Sequence, residues 1–194
     1  MLCAIYAELC VREGRPLTGR DYYAHLAGLS DEAVFATWLG PGHPGIERLV
    51  AERIALYRER VSDGSTVHAP VREAVRYAAQ RVPVAVVSGA ARAEIEPVLE
   101  AAGLAGAVSF VVAADDVRAG KPDPEGYLRA LQRLGDVAPA DVLVFEDTEA
   151  GVASAKAAGM RVVAVTGTLG RERLSAADEL AEAVQPPLLR RLLA

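Results

Sequence analysis

LVFEDTEAG, Leu143 to Gly151, decides how the chain is read. A short apolar run ends in two adjacent carboxylates, Glu146 and Asp147, and then passes through Thr148 towards Gly151. The run fits a strand buried on both faces, and the residues after it fit the first turn of a helix. Charged groups seldom enter a protein interior without a partner, so two carboxylates at the end of a buried strand call for solvent or a cation.

The surrounding sequence repeats this strand-then-helix pattern. VPVAVVS (Val82–Ser88), VSFVV (Val108–Val112), DVLVFE (Asp141–Glu146) and RVVAVT (Arg161–Thr166) are short, apolar and rich in β-branched residues. Helical spacing lies between them at Ala91–Ala102, Pro124–Leu134 and Thr148–Ala158, with a further helix at Pro70–Gln80 leading into the first run. Gly103, Gly135 and Gly159 stand where these helices should stop. Alternation of this kind predicts a doubly wound parallel sheet, an α/β Rossmann-like core, over residues 67–194.

Residues 1–66 read differently. Leu2, Ile5, Tyr6, Leu9 and Cys10 fall on one helix face. Thr18 and Ser30 are expected as N-caps, Ser30 followed by Asp31 and Glu32. Pro44 is expected to open a longer helix with Ile46, Leu49, Val50, Ile54 and Leu56 or Tyr57 on its apolar stripe. No strand is predicted here, and the turn-rich SDGSTVHAP, Ser62 to Pro70, marks the boundary.

Composition bounds the function. The chain has 194 residues and a net charge of −5, with a pI near 5.3. That argues against a nucleic-acid groove or a polybasic membrane surface. No apolar run reaches the roughly 20 residues of a membrane span, and no basic leader precedes the first apolar segment. Cys3 and Cys10 read as reduced thiols, and His25, His43 and His68 have no ligand spacing. The expected location is cytoplasmic.

The polar residues at successive strand ends form a set. The first run ends in Ser88-Gly89, the loop after the second carries Lys121, and the third ends in Glu146-Asp147. Ligands of open α/β sheets bind at the carboxyl ends of the strands. A hydroxyl, a fixed cation and a carboxylate pair suit phosphoryl transfer, where donors meet the phosphate oxygens and Mg²⁺ sits on one or two carboxylates.

These residues carry a resemblance to the haloacid dehalogenase-like superfamily of phosphohydrolases, in its β-phosphoglucomutase-like and phosphoglycolate-phosphatase-like branch. VVSGA with Ser88 resembles the second motif of the family, GKPDPEGY with Lys121 the third, and FEDTEAGVASAKAAGM the fourth. The resemblance implies that residues 1–66 are a helical cap, in which AHLAGLSDEAVF is a familiar stretch. It implies that Ser88 and Lys121 act on the phosphoryl group with Gly89 beside them, and that Asp147 ligates Mg²⁺ with help from Glu146. It also implies that Gly151 lets its helix pack close to the loop, and that Asp123 steadies the lysine loop. Arg20, His25 and Arg53 are the candidate cap contacts to substrate.

The family's first motif, a strand ending in D-x-D-G-T that supplies the nucleophile and general acid/base, has no counterpart in residues 1–20. MLCAIYA fits a helix and not that strand. The expectations are therefore a sheet missing its central strand, between those ending at Ser88 and Glu146, and a lost leading segment of roughly 15 residues. Rearrangement, self-association by exchange between protomers, or a separate strand would be the other ways to complete the sheet. The expected function is a Mg²⁺-dependent phosphatase of a small phosphorylated metabolite acting through an aspartyl-phosphate. A sugar-phosphate mutase and a non-catalytic phosphate-binding module are the alternatives.

Overall fold

Residues 1–62 carry helix signals and no strand signal, and the computed structural model, which describes every residue except Gly28, folds them as helices. The chain folds as two units, Met1–Ser62 and Asp63–Ala194. The first contains α1 (Leu2–Arg12), α2 (Gly19–His25), α3 (Asp31–Leu39) and α4 (Ile46–Val61). Ile5, Tyr6, Leu9 and Cys10 of α1 are buried as their spacing predicts, whereas Leu2 is exposed in the first turn. Thr18 Oγ1 accepts the Asp21 N–H at 3.2 Å and Ser30 Oγ accepts the Ala33 N–H at 3.3 Å, so both expected caps form. In the stretch Ala24–Phe35, Gly28 lies outside the described residues. Helix α4 opens at Ile46 behind Gly45 rather than at Pro44.

The core of this unit is aromatic. Tyr6 stacks on Tyr22 at 5.6 Å and meets Phe35 edge-on at 5.4 Å, with Leu26, Val34 and Leu49 packed around them. The expected stripe of α4 misses its most enclosed polar member. Arg53 is 5% exposed and forms an ion pair with Asp31, whose other oxygen accepts the Tyr6 hydroxyl. Arg53 is thus a buried partner of Asp31 within this unit and not a solvated surface side chain.

The second unit alternates as its sequence does. It contains α5 (Ala69–Ala79), β1 (Ala85–Val87), α6 (Arg92–Ala101), β2 (Phe110–Val112), α7 (Glu125–Leu134) and β3 (Leu143–Glu146). It continues through α8 (Glu149–Ala157), β4 (Arg161–Val165), β5 (Glu179–Ala181) and α9 (Pro186–Leu192). Gly103, Gly135 and Gly159 close their helices with φ of +64°, +84° and +79°, a backbone that an L side chain resists. β5 was not expected, because ELA offers no β-branched residue; it pairs with β4 through Val163↔Glu179 to Val165↔Ala181.

Among the described residues all strand pairing is parallel, and it falls into two sheets. β1 pairs β2 from Ala85↔Phe110 to Val87↔Val112, and β4 lies between β3 and β5. The described residues give no ladder between β1 and β3. A cavity of about 610 Å³ lies there instead, with Val84, Val86, Val87, Val144 and Phe145 among its walls. Among the described residues no helix is long and apolar enough to cross a membrane.

Candidate active site at the strand ends

β1 ends at Val87 and releases Ser88, whose N–H still donates to Val112 O at 3.0 Å. The Ser88 hydroxyl oxygen accepts the Ala90 N–H at 3.1 Å. Helix α6 takes Ala91 as its N-cap, so Ser88 stands ahead of the helix and does not cap it.

Lys121 comes from the loop between β2 and α7, and this loop is fixed at several points. Glu125 Oε2 accepts the N–H groups of Arg118 and Ala119 at 2.9 and 3.0 Å, and those donors, with Arg129, hold the carboxyl below its usual range. Asp123 Oδ1 accepts the Glu125 N–H at 2.9 Å, and Asp123 O accepts the Ser154 hydroxyl at 2.7 Å. So anchored, the Lys121 ammonium donates to Val87 O at 3.1 Å and forms an ion pair with Glu146 Oε1. Ser88, Gly89 and Lys121 share one cavity of about 190 Å³, with Ala113, Gly120 and Asp123 also on its walls.

Glu146 ends β3 and is 8% exposed. Besides Lys121, its Oε1 accepts the Tyr127 hydroxyl at 2.5 Å. Its Oε2 faces the Asp147 N–H at 3.3 Å and the Thr148 hydroxyl at 3.4 Å. Thr148 also caps α8 by accepting the Gly151 N–H at 3.1 Å. A Cβ on Gly151 would stand 2.0 Å from Glu146 Oε2, so only glycine lets the helix start this close to the carboxylate.

Asp147 is exposed, lies outside the cavity lining, and accepts the Thr168 hydroxyl on Oδ2 at 2.7 Å. Among the described residues no three His, Cys, Asp or Glu side chains converge as a metal cage. The donor chemistry fits magnesium all the same: a hard ion that takes one or two carboxylates and fills its remaining positions with water and phosphate oxygens. Asp147 has an open carboxylate of this kind, whereas that of the adjacent Glu146 is buried and engaged by Lys121 and Tyr127.

Two residues of this cluster escaped the sequence reading. Tyr127 stands inside GKPDPEGY, six residues after Lys121, but its partner Glu146 is 19 residues further on. Thr168 follows β4 and carries no local signal. Burial and the charge of Glu146 push the Tyr127 phenol far above its ordinary value, so it stays protonated and donates.

Residues 11–159 match the model of the haloacid dehalogenase-like hydrolases. Over 100 residues the chain is 43% identical to validoxylamine A 7′-phosphate phosphatase of Streptomyces hygroscopicus subsp. limoneus, a match covering 52% of this chain and 46% of that protein. Over 153 residues it is 31% identical to phosphoglycolate phosphatase of Pectobacterium atrosepticum, covering 70% of this chain and 65% of that one. The chain thus spans less than two thirds of the length of either relative. The β-phosphoglucomutase of Clostridium difficile shares the fold, with a TM-score of 0.76 at 18% identity over 99% of this chain and 89% of that chain. With three quarters of its length matched by one family and the strand-end cluster built from that stretch, the chain belongs to the haloacid dehalogenase-like hydrolases.

Proposed function

We propose that the strand-end site cleaves the phosphate ester of a small metabolite with the help of Mg²⁺. The observation that carries this reading is Lys121. Its ammonium is anchored by Val87 O and Glu146 on the wall of the cavity it shares with Ser88. A fixed cation and a hydroxyl stabilise the charge on phosphate oxygens without reorganising during the reaction. Mg²⁺, held by Asp147 with Glu146 next to it, would neutralise further negative charge on the phosphoryl group. The names of the two relatives, both phosphatases of phosphorylated small molecules, support the same substrate class. Residues 1–66 act as the cap that selects among substrates.

The attacking group in this reading is an aspartate on a strand seated between β1 and β3. The cavity of about 610 Å³ there has apolar walls, and a parallel strand in it would end beside Ser88 and Glu146. The carboxylate would attack phosphorus as the ester P–O bond breaks and the alcohol leaves with a proton from a second acid. Water would then attack phosphorus, giving a proton back to the second acid, as the bond between phosphorus and the carboxylate oxygen breaks to release phosphate and restore the aspartate.

The test is phosphate release from a panel of sugar phosphates and phosphoglycolate, with and without Mg²⁺. With the nucleophile-bearing strand supplied, the expected result is Mg²⁺-dependent release that falls about 100-fold or more in Lys121→Met. Isomerisation of a hexose phosphate without release would make the site a mutase, and tight binding without turnover would make it a binding module. Failure to bind any of these esters overturns the reading.

A further inference from the structure

The oxygen that holds Lys121 is shared. Glu146 Oε1 accepts the lysine ammonium and, at 2.5 Å, the hydroxyl of Tyr127. Tyr127 is 5% exposed, and its ring lies 5.2 Å from the same ammonium. The tyrosine therefore meets the lysine twice, once by its π face and once through the carboxylate. A phenylalanine would fill nearly the same volume and keep the first contact. Only the second requires the hydroxyl.

We propose that Tyr127 is a positioning residue for Lys121: its hydroxyl fixes Glu146 Oε1, and Glu146 in turn sets where the ammonium stands on the wall of the cavity it shares with Ser88. This rests on the reading that Lys121 meets the phosphoryl group. Lysine is a compact charge on a flexible four-carbon stem, so its place depends on the acceptors around it. Two acceptors hold it here, Val87 O on the β1 backbone and Glu146 Oε1. The backbone acceptor is rigid; the carboxylate rotates unless something holds it. Oε2 has only the long contacts at 3.3 and 3.4 Å, so the short bond from Tyr127 is the one that fixes the carboxylate plane.

A merely structural Tyr127 would satisfy Glu146 and stop there; a positioning Tyr127 must move Lys121 when its hydroxyl is removed. The experiment is Tyr127→Phe in the full chain, followed by the Lys121 ammonium signal in ¹H–¹⁵N spectra and by calorimetric titration with inorganic phosphate. The expected results are a shifted ammonium signal exchanging with water at least about threefold faster, and phosphate affinity weakened about 3- to 10-fold, the range of one hydrogen bond. Cooperative thermal unfolding should be retained. An unmoved Lys121 signal overturns the proposal whatever phosphate does. A signal that moves in a protein whose parent never binds phosphate leaves the positioning role standing and overturns the phosphate site. Should Tyr127→Phe not fold, Glu146→Gln reads the same link at its middle member, and an unmoved Lys121 signal there overturns the proposal equally.

Discussion

Each unit of the chain encloses a cation, a carboxylate and a tyrosine, and the two sets do opposite work. In the helical unit Arg53 pairs with Asp31, which also accepts the Tyr6 hydroxyl. In the α/β unit Lys121 pairs with Glu146, which also accepts the Tyr127 hydroxyl. The Arg53 side chain is 6% exposed and sits in α4 beside an aromatic cluster, whereas that of Lys121 is 22% exposed and borders a cavity. Arginine spreads its charge over a planar fork that can be satisfied entirely from within, while lysine is a single point of charge that can be left facing outward. The first set therefore organises a core. The second leaves one charge on the wall of a cavity.

The largest expected effect comes from breaking the enclosed set. Asp31→Ala removes the carboxylate that pairs with the buried Arg53 and accepts the Tyr6 hydroxyl, and should cost about 3–5 kcal/mol, read by Trp38 fluorescence during urea unfolding. Trp38, the single tryptophan, lies in this unit and bonds to Arg15 O at 3.1 Å. Replacing both partners, as Arg53→Met with Asp31→Leu, should recover most of the loss, since an apolar pair of similar volume needs no desolvation of charge. The matching pair Lys121→Met with Glu146→Gln should recover stability in the same way yet leave phosphate unbound. If both double variants bind phosphate like the parent, the contrast between the sets fails.

Gly151→Ala strikes the second set through the backbone. The new methyl would overlap the Glu146 carboxylate, which is tied to Lys121 and Tyr127, so α8 or the carboxylate must shift. Overpacking of this kind costs about 1–3 kcal/mol. Because the displaced group is the one that holds Lys121, phosphate affinity should fall together with stability. A variant that keeps both intact would show that the close approach is incidental.

What the sequence disclosed and what it hid divide along chain distance. The caps Thr18 and Ser30, the glycine stops and the four β-branched runs were legible, because each depends on residues within one turn or one strand. The strand-end set Ser88, Lys121 and Glu146 was legible as a pattern, since parallel strands bring their carboxyl ends together. The burial of Arg53 was not legible because its partner Asp31 lies 22 residues back on another helix and nothing local marks it. Tyr127 and Thr168 were missed for the same reason: their hydroxyls matter only once the sheet sets Glu146 and Asp147 beside them. β5 pairs by position alone, its three residues lacking any intrinsic strand preference.

Thr168 gives a smaller and more local test. Its hydroxyl is 2.7 Å from Asp147 Oδ2 and orients the carboxylate proposed to hold Mg²⁺. Thr168→Val keeps the shape and removes the donor, so Mg²⁺ affinity should fall about 10-fold, as for other outer partners of metal ligands. Stability should change by less than about 0.5 kcal/mol at this surface position. Magnesium titration by calorimetry reads the first and thermal unfolding the second. Unchanged Mg²⁺ affinity would place the metal elsewhere than Asp147 or free Thr168 of any part in holding it.

The mildest test sets the two units against each other in pH. In the helical unit burial, and then the charge of Glu13, push the Cys10 thiol up to about 11, and burial also raises the Tyr22 phenol. A raised pKa stabilises the fold below the ordinary value, near 9 for the thiol, and that contribution drains away as pH climbs towards 11. In the α/β unit Asp63, Asp116, Glu125 and Asp178 are held below their usual range, chiefly by backbone N–H donors for the first three and by Lys156 for the last. A lowered carboxyl stabilises above its ordinary value, near 4, and loses that contribution as pH falls through the folded value. Tyr127 adds an alkaline loss to this unit too, but one that starts from the ordinary phenol value of 10.0, above that of the thiol. Rising pH should therefore disturb Trp38 fluorescence before far-UV ellipticity, and falling pH should reverse the order. Cys10→Val should hold the Trp38 signal to higher pH and leave the acid side unmoved, because valine has no proton to lose. If the two signals move together on both sides, the units unfold as one, and the division between a closed core and an open charge is a matter of surroundings and not of separate stability.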